Sequence, residues 1–157
     1  WIAGGTGTSG SPGAGLDLSR ASIVRSLRSM GTRESLATDS MLKRGLLDYR
    51  ISNQRPPKLG DTLMGGYYDP PGRVVWLYRQ SVNTVDDAAS LLIHEGRHVQ
   101  QRYNFGAVGL PRLTTPRYLI DKLRGTLRYE RDANLFQLRG TPHLFTGDLE
   151  KVLDNYR

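Results

Sequence analysis

The sequence predicts an α+β fold with a small, mostly antiparallel sheet. Apolar residues recur at helical spacing toward both ends of the chain, whereas a central segment alternates apolar and polar residues around a Pro-Gly turn. One domain is expected, because 157 residues of which 38% are hydrophobic can bury a core without disulfide or metal support.

The amino-terminal segment, residues 1–15, is predicted to be a flexible tether. Glycine and serine dominate it, no apolar period runs through it, and such a composition is typical of linkers. We expect residues 16–157 to form the folded domain.

Two helices are predicted after the tether. The first covers 17–30 and ends before Gly31, a residue suited to the position after a helix. The second begins after Thr32, whose side chain can cap a helix. The apolar face of the second helix is expected from Leu36, Met41 and Leu42.

Strands are predicted in the middle of the chain. Residues 47–51 alternate as a half-buried strand, and residues 62–80 read as a hairpin whose turn is Asp69-Pro70-Pro71-Gly72. Helices are then predicted over 84–103, 115–140 and 147–156, the first with a capping-box pattern at Thr84 and Asp87.

The helix at 84–103 contains the pattern His-Glu-x-x-His, formed by His94, Glu95 and His98. The helical repeat places both histidines on one face, about one turn apart, where both imidazoles can reach one metal ion. Glu95 lies about 100° around the helix from His94, so it can accept a proton from water without being a metal ligand. The apolar run at 91–93 predicts a buried helix, in which these groups would be costly without a role. We therefore predict a metal site.

A third ligand is expected on a later helix, and it must be imidazole or carboxylate because the chain has no cysteine. The absence of cysteine also excludes disulfides, iron–sulfur clusters and cysteine nucleophiles. Glu130 is the preferred third ligand, while Asp132 is interpreted as a solvated charge. His143 has three open roles: third ligand, residue that stabilises an oxyanion, or ordinary loop residue.

His94-Glu95-x-x-His98 followed by Glu130 resembles the gluzincin branch of the zincin metallopeptidases, which includes thermolysin. The resemblance is confined to the site. It implies a zincin-like fold, in which the helix after the motif helix bears the third ligand, and a Zn²⁺ held by His94, His98 and Glu130. It further implies hydrolysis of peptide bonds in a protein or peptide substrate, with Glu95 as general base and His143 as a candidate catalytic residue.

The same resemblance implies two supporting features. In that branch an acidic residue, four positions after the third ligand, orients the first histidine. Asn134 stands there in this chain, and its carbonyl can accept the same hydrogen bond. A strand edge along the cleft pairs with extended substrate, and residues 73–79 are the candidate. The alternative is that Val74, Trp76 and Tyr78 are core residues beneath the helix.

The net charge is +7, from 22 Lys+Arg and 15 Asp+Glu. Basic residues concentrate near the motif, which predicts acidic substrates or an acidic inhibitor or immunity protein; a solvated basic helix face is the alternative. Nucleic acid is an unfavoured partner, since no nucleic-acid-binding motif is present. No apolar window is long enough for a membrane span. The basic residues in question are Arg97, Arg102, Arg112, Arg117, Lys122, Arg124, Arg128 and Arg131.

The arrangement of a small domain behind a Gly/Ser-rich tether resembles the carboxy-terminal toxin modules of bacterial polymorphic toxins and secretion-system effectors. That resemblance implies a domain that is secreted or delivered as part of a larger effector. A housekeeping or regulatory peptidase is the main rival. The alternative from another functional class is a non-catalytic binding module with a structural zinc, which would need a closed site of four ligands, with His143 or a second carboxylate in the fourth position.

Overall fold

A computed structural model describes residues 15–54, 58–59, 62–63, 65–69, 74–103 and 128–144. Their helices and strands confirm the α+β class; the zincin-like architecture stays a prediction. The predicted tether up to residue 14, the predicted helix at 147–156 and the first part of the one at 115–140 lie outside these residues. The elements are α1 (Arg20–Met30), α2 (Arg33–Lys43), β1 (Asp48–Ser52), β2 (Lys58–Leu59), β3 (Thr62–Leu63), β4 (Gly66–Asp69), β5 (Val74–Tyr78), α3 (Val85–Tyr103) and α4 (Arg128–Gly140), with 3-10 turns at Arg79–Ser81 and Pro142–Leu144.

Helix α1 ends at Met30 as predicted but begins at Arg20, three residues later than expected, because Ser19 caps it; α2 begins after Thr32, as the sequence indicates. Gly31 follows α1 in the left-handed conformation, with φ of 66°, and the Thr32 hydroxyl accepts a hydrogen bond from Ser35 N at the start of α2. The apolar face predicted for α2 is wrong at one position, because Leu36 is 45% exposed. The buried face instead runs through Ser35, Thr38, Met41 and Leu42, and Leu36 lies about 100° away from Ser35.

The predicted hairpin is confirmed, but the sheet is mixed. Strand β5 pairs antiparallel with β4 and parallel with β1, giving the order β1-β5-β4, while β2 and β3 form a separate two-stranded pair. The expectation that residues 73–79 form a free edge is wrong, because β5 is the central strand and both of its sides are paired.

The core face of β5 also differs from the prediction. Val75 and Leu77 are fully buried on the face toward the helices, whereas Val74, Trp76 and Tyr78 are only half-buried on the opposite face. Alternation along a strand shows which residues share a face but not which of the two faces is buried. The side of the sheet on which α3 packs decides which face that is.

Helix α3 occupies the centre of the fold. It contacts α1, α2, α4, β4 and β5, and its apolar residues between 88 and 99 are fully buried. The predicted capping box is confirmed at its start, where Thr84 Oγ1 accepts from Asp87 N and Asp87 Oδ2 accepts from Thr84 N. Packing on several sides therefore fixes the helix that carries the His-Glu-x-x-His motif. Its fully buried apolar residues include Ala88, Ala89, Leu91, Leu92, Ile93 and Val99.

Candidate metal centre

Helices α3 and α4 bring three side chains together, as the sequence predicts for the ligand group. The Nε2 atoms of His94 and His98 lie 3.2 Å apart. Glu130, in the first turn of α4, places Oε2 3.4 Å from His94 Nε2 and Oε1 3.2 Å from His98 Nε2. The two imidazoles are buried and the Glu130 side chain is 35% exposed. This group could hold a metal ion.

The spacing of these atoms fits a tetrahedral ion. Zinc bonds of about 2.0–2.2 Å to nitrogen and oxygen place neighbouring ligand atoms about 3.3 Å apart. The Nε2 atoms of the two histidines, 3.2 Å apart, agree with that value, and a Glu130 oxygen lies at a comparable distance from each of them, Oε2 at 3.4 Å from His94 and Oε1 at 3.2 Å from His98. Two imidazoles and one carboxylate are also a donor set that divalent transition metals accept. The residues present therefore fit the group that the motif implies.

The metal-free centre is an ion pair. Burial alone would lower the pKa of His98, but the charge and hydrogen bond of Glu130, with the charge of Glu95, raise it to about 9. Burial alone would raise the pKa of Glu130, but the charge of His98 and hydrogen bonds from both histidines hold it far below its usual range. At neutral pH a protonated His98 therefore faces an ionised Glu130, and a metal cation must displace that proton.

Glu95 is buried beside the ligands. It is 8% exposed, and its charge acts on His98 by raising the pKa of that imidazole. A Cβ at Gly66 would lie 3.5 Å from Glu95 Cγ and 3.3 Å from the carbonyl oxygen of Trp76. The absence of a side chain at Gly66 thus lets the backbone of β4 approach Glu95. Within the described part of the chain, β4 pairs only with β5, so its other side faces away from the sheet.

Asp132 is not the solvated charge that the sequence predicts. Its two oxygens accept from Arg97, with Nε at 2.5 Å and Nη2 at 3.2 Å. Asp132 Oδ2 also accepts from Gln101 Nε2 at 2.9 Å, and Gln101 Oε1 lies 2.8 Å from His98 Nδ1. Sequence reasoning missed Gln101. Its position, three residues after His98 on the same helix face, is the signal that could have found it.

The hydrogen bond predicted between Asn134 and His94 is absent among the described residues. Both side chains are buried, yet His94 Nδ1 and Asn134 Nδ2 have no hydrogen-bond partner there. The two histidines therefore differ, because His98 has a partner for its outer nitrogen and His94 has none in this part of the chain.

His143 lies away from the ligand group. It is in the 3-10 turn after α4, half exposed, with Nε2 3.5 Å from Asp86 Oδ2 in the first turn of α3. Asp86 precedes His94 by about two turns, roughly 12 Å along the helix. Of the three roles left open for His143, this position fits an ordinary loop residue best.

Comparisons with protein-family models, curated proteins and solved structures found no match to the chain. What the centre does is therefore inferred from its own residues. None of the helices in the described ranges is long and apolar enough to cross a membrane.

Proposed function

We propose that this chain is a zinc-dependent metallopeptidase whose zinc is held by His94, His98 and Glu130. The observation that carries the proposal is the convergence of two imidazoles and one carboxylate, with a Glu130 oxygen 3.2–3.4 Å from each Nε2 atom, next to the buried carboxylate of Glu95. Two histidines and one glutamate are the ligand set of catalytic zinc in thermolysin, and such sites keep a fourth position open.

The alternative from another class, a structural-zinc module, is less well supported. Structural zinc is normally enclosed by four protein ligands, most often with cysteine among them. The group found among the described residues has three members, and the chain contains no cysteine. His143, the residue considered for a fourth position, is paired with Asp86 instead.

The proposed reaction is hydrolysis of a peptide bond with Glu95 as general base. When bound, zinc supplies Lewis-acid chemistry: it polarises a carbonyl group and lowers the pKa of water toward neutrality. The carboxylate of Glu95 accepts a proton as the water oxygen bonds to the scissile carbonyl carbon. It then delivers that proton to the amine nitrogen as the C–N bond breaks, so no net proton stays on the protein.

We further propose that extended substrate pairs with the outer side of β4. Strand β5 cannot take this role because both of its sides are occupied. The backbone of β4 approaches Glu95 at Gly66, so a peptide added to this edge would pass close to the general base. The exposed side chain of Tyr67, on the same strand, would then contact the substrate or remain in solvent.

The partners expected from the basic charge stay predictions. Arg97 lies near the motif in sequence, but it gives little support to an acidic partner. Its guanidinium already donates to Asp132 and Gln100 and lies 4.9 Å from the centre of the Phe136 ring. Arg131 is exposed and remains available to an acidic substrate or inhibitor. Delivery as part of a bacterial effector also stays a prediction.

The substitution Glu95→Gln tests the mechanism. It removes the base but no ligand, so hydrolysis of an unfolded protein substrate should fall by about 10²- to 10⁴-fold while zinc remains bound. Glu34→Gln is the matched control, because the same chemical change is made near the start of α2, outside the ligand group. Unchanged hydrolysis by a zinc-loaded Glu95→Gln protein would contradict the mechanism.

A further inference from the structure

We propose that Gln101 and Asp132 form a positioning relay that sets the tautomer and ring orientation of His98, so that its Nε2 atom faces the metal position. The relay runs from Asp132 through the Gln101 amide to His98 Nδ1. The inference rests on the metal centre of His94, His98 and Glu130 and is independent of what that centre hydrolyses.

The first step is the orientation of the Gln101 amide. An ionised carboxylate can only accept hydrogen bonds, so the Gln101 atom that lies 2.9 Å from Asp132 Oδ2 must be the NH₂ group. The carbonyl oxygen of Gln101 then faces His98 Nδ1 at 2.8 Å. Because an amide oxygen has no proton to donate, Nδ1 carries the hydrogen, and Nε2 is the nitrogen left for a metal ion.

The second step is the anchoring of Asp132. Its paired hydrogen bonds to Arg97 fix the plane of the carboxylate, and the Arg97 side chain is itself only 13% exposed. Arg97 is held further by Nη1 donating to Gln100 Oε1 at 2.8 Å and by the Phe136 ring. The acceptor that orients Gln101 is therefore held in place by groups on both α3 and α4.

The third step concerns burial. Gln101 is fully buried, and a buried primary amide costs free energy unless its oxygen and nitrogen both find partners. An apolar residue would fill the same space at lower cost if packing were its only role. The presence of an amide whose two ends join His98 to Asp132 is explained by a positioning role.

The relay also links the ligands to one another. Asp132 lies two residues after Glu130, so one turn of α4 supplies both the third ligand and the anchor for His98. The orientation of the imidazole and the approach of the carboxylate are thus set by the same contact between α3 and α4.

Zinc affinity tests the relay. Gln101→Met replaces the amide with an apolar chain of similar length, and we expect zinc binding, measured by competition with a chelator, to weaken about 10- to 100-fold. Gln137→Met is the matched control: it removes another buried amide, whose NH₂ group donates to Ser90 Oγ at 2.8 Å and which plays no part in the relay, and should leave affinity within about threefold. A folded Gln101→Met protein with unchanged affinity, or equal losses in both variants, would overturn the proposal.

A spectroscopic signature separates positioning from general destabilisation. In zinc-loaded protein, the Nδ1 proton of His98 should give a downfield NMR signal that shifts upfield in Gln101→Met and is retained in Gln137→Met. Asp132→Ala, which removes the anchor together with the partner of Arg97, should produce the same shift to a smaller degree and provides the test if Gln101→Met fails to fold. An unchanged His98 signal in whichever of these two variants folds would overturn the relay.

Discussion

In the metal-free protein, raising the pH from 6 to above 9 should destabilise the fold through His98 and Glu130. The folded-state pKa of His98 is raised from 6.5 to about 9. The contribution of His98 to the free energy of unfolding is therefore complete below pH 6.5 and is lost as pH rises through 9. The folded-state pKa of Glu130 is lowered. The contribution of Glu130 to the free energy of unfolding is therefore present above the unfolded-state pKa of 4.5 and is lost as pH falls through the folded-state pKa. The pair therefore stabilises most between pH 4.5 and 6.5.

The size of the effect follows from the raised pKa. A change from 6.5 to about 9 in His98 corresponds to about 3 kcal/mol of unfolding free energy. Solvent screens this pair only in part, since the His98 side chain is 9% exposed and that of Glu130 35%. We expect most of the loss to occur between pH 6.5 and 9.

Urea unfolding in the presence of a chelator, at pH 6 and pH 9.5, measures this change directly. Glu130→Gln is the matched control, because it removes the charge that raises the pKa of His98 and should lose much less stability over the same interval. If the wild-type protein were equally or more stable at pH 9.5 than at pH 6, a stabilising ion pair between protonated His98 and Glu130 would be contradicted.

Zinc should remove this pH dependence. The metal binds deprotonated His98, so the stabilisation gained from a fixed excess of zinc should grow as the pH rises from 6.5 toward 9. A loss of stability between pH 6.5 and 9 that occurs in the metal-free protein and disappears in the zinc-loaded protein would be difficult to explain by any ionisable group outside the centre.

Three substitutions test other contacts. Gly140→Ala should cost about 1–3 kcal/mol in urea unfolding, because its Cβ would lie 3.0 Å from two carbons of the fully buried Ile93. Arg97→Met should cost about 2 kcal/mol, since it leaves the partly buried Asp132 without its cation. His143→Ala should leave zinc affinity unchanged in chelator competition, because this residue pairs with Asp86.

Controls for these substitutions come from the same elements or the same chemistry. Arg139→Ala, at the neighbouring exposed position of α4, should change stability by less than about 0.5 kcal/mol. Asp48→Asn breaks the exposed pair with Arg20 and should cost less than about 1 kcal/mol. The contacts described would be contradicted if Gly140→Ala or Arg97→Met cost no more stability than these controls. A tenfold loss of zinc affinity in His143→Ala would also contradict them.

Much of the local structure could be predicted because local chemistry determines it. Gly31 and Thr32 specify a helix end and a helix start through backbone conformation and side-chain capping, which need no distant partner. The spacing of His94 and His98 follows from the helical repeat alone. Glu130 could be predicted because the chain offers few imidazole and carboxylate side chains as a third ligand.

Most of the incorrect predictions concern long-range contacts. The parallel pairing of β1 with β5 joins strands distant in sequence, and it converts the expected free edge at 73–79 into the centre of the sheet. Asp132 looks solvated from its neighbours in sequence, since only the approach of α3 brings Arg97 and Gln101 to it. Periodicity specifies which residues share a face, but the packing partner decides which face is buried.

Metal analysis of the purified protein beside its His94→Ala variant tests the metal centre most directly. We expect about one zinc per chain in the wild-type protein, retained after dialysis, and little or none in His94→Ala, because that substitution removes one of the three proposed ligands. A His94→Ala protein that keeps its full zinc content, or a folded wild-type protein that binds no zinc when it is supplied, would contradict the centre formed by His94, His98 and Glu130.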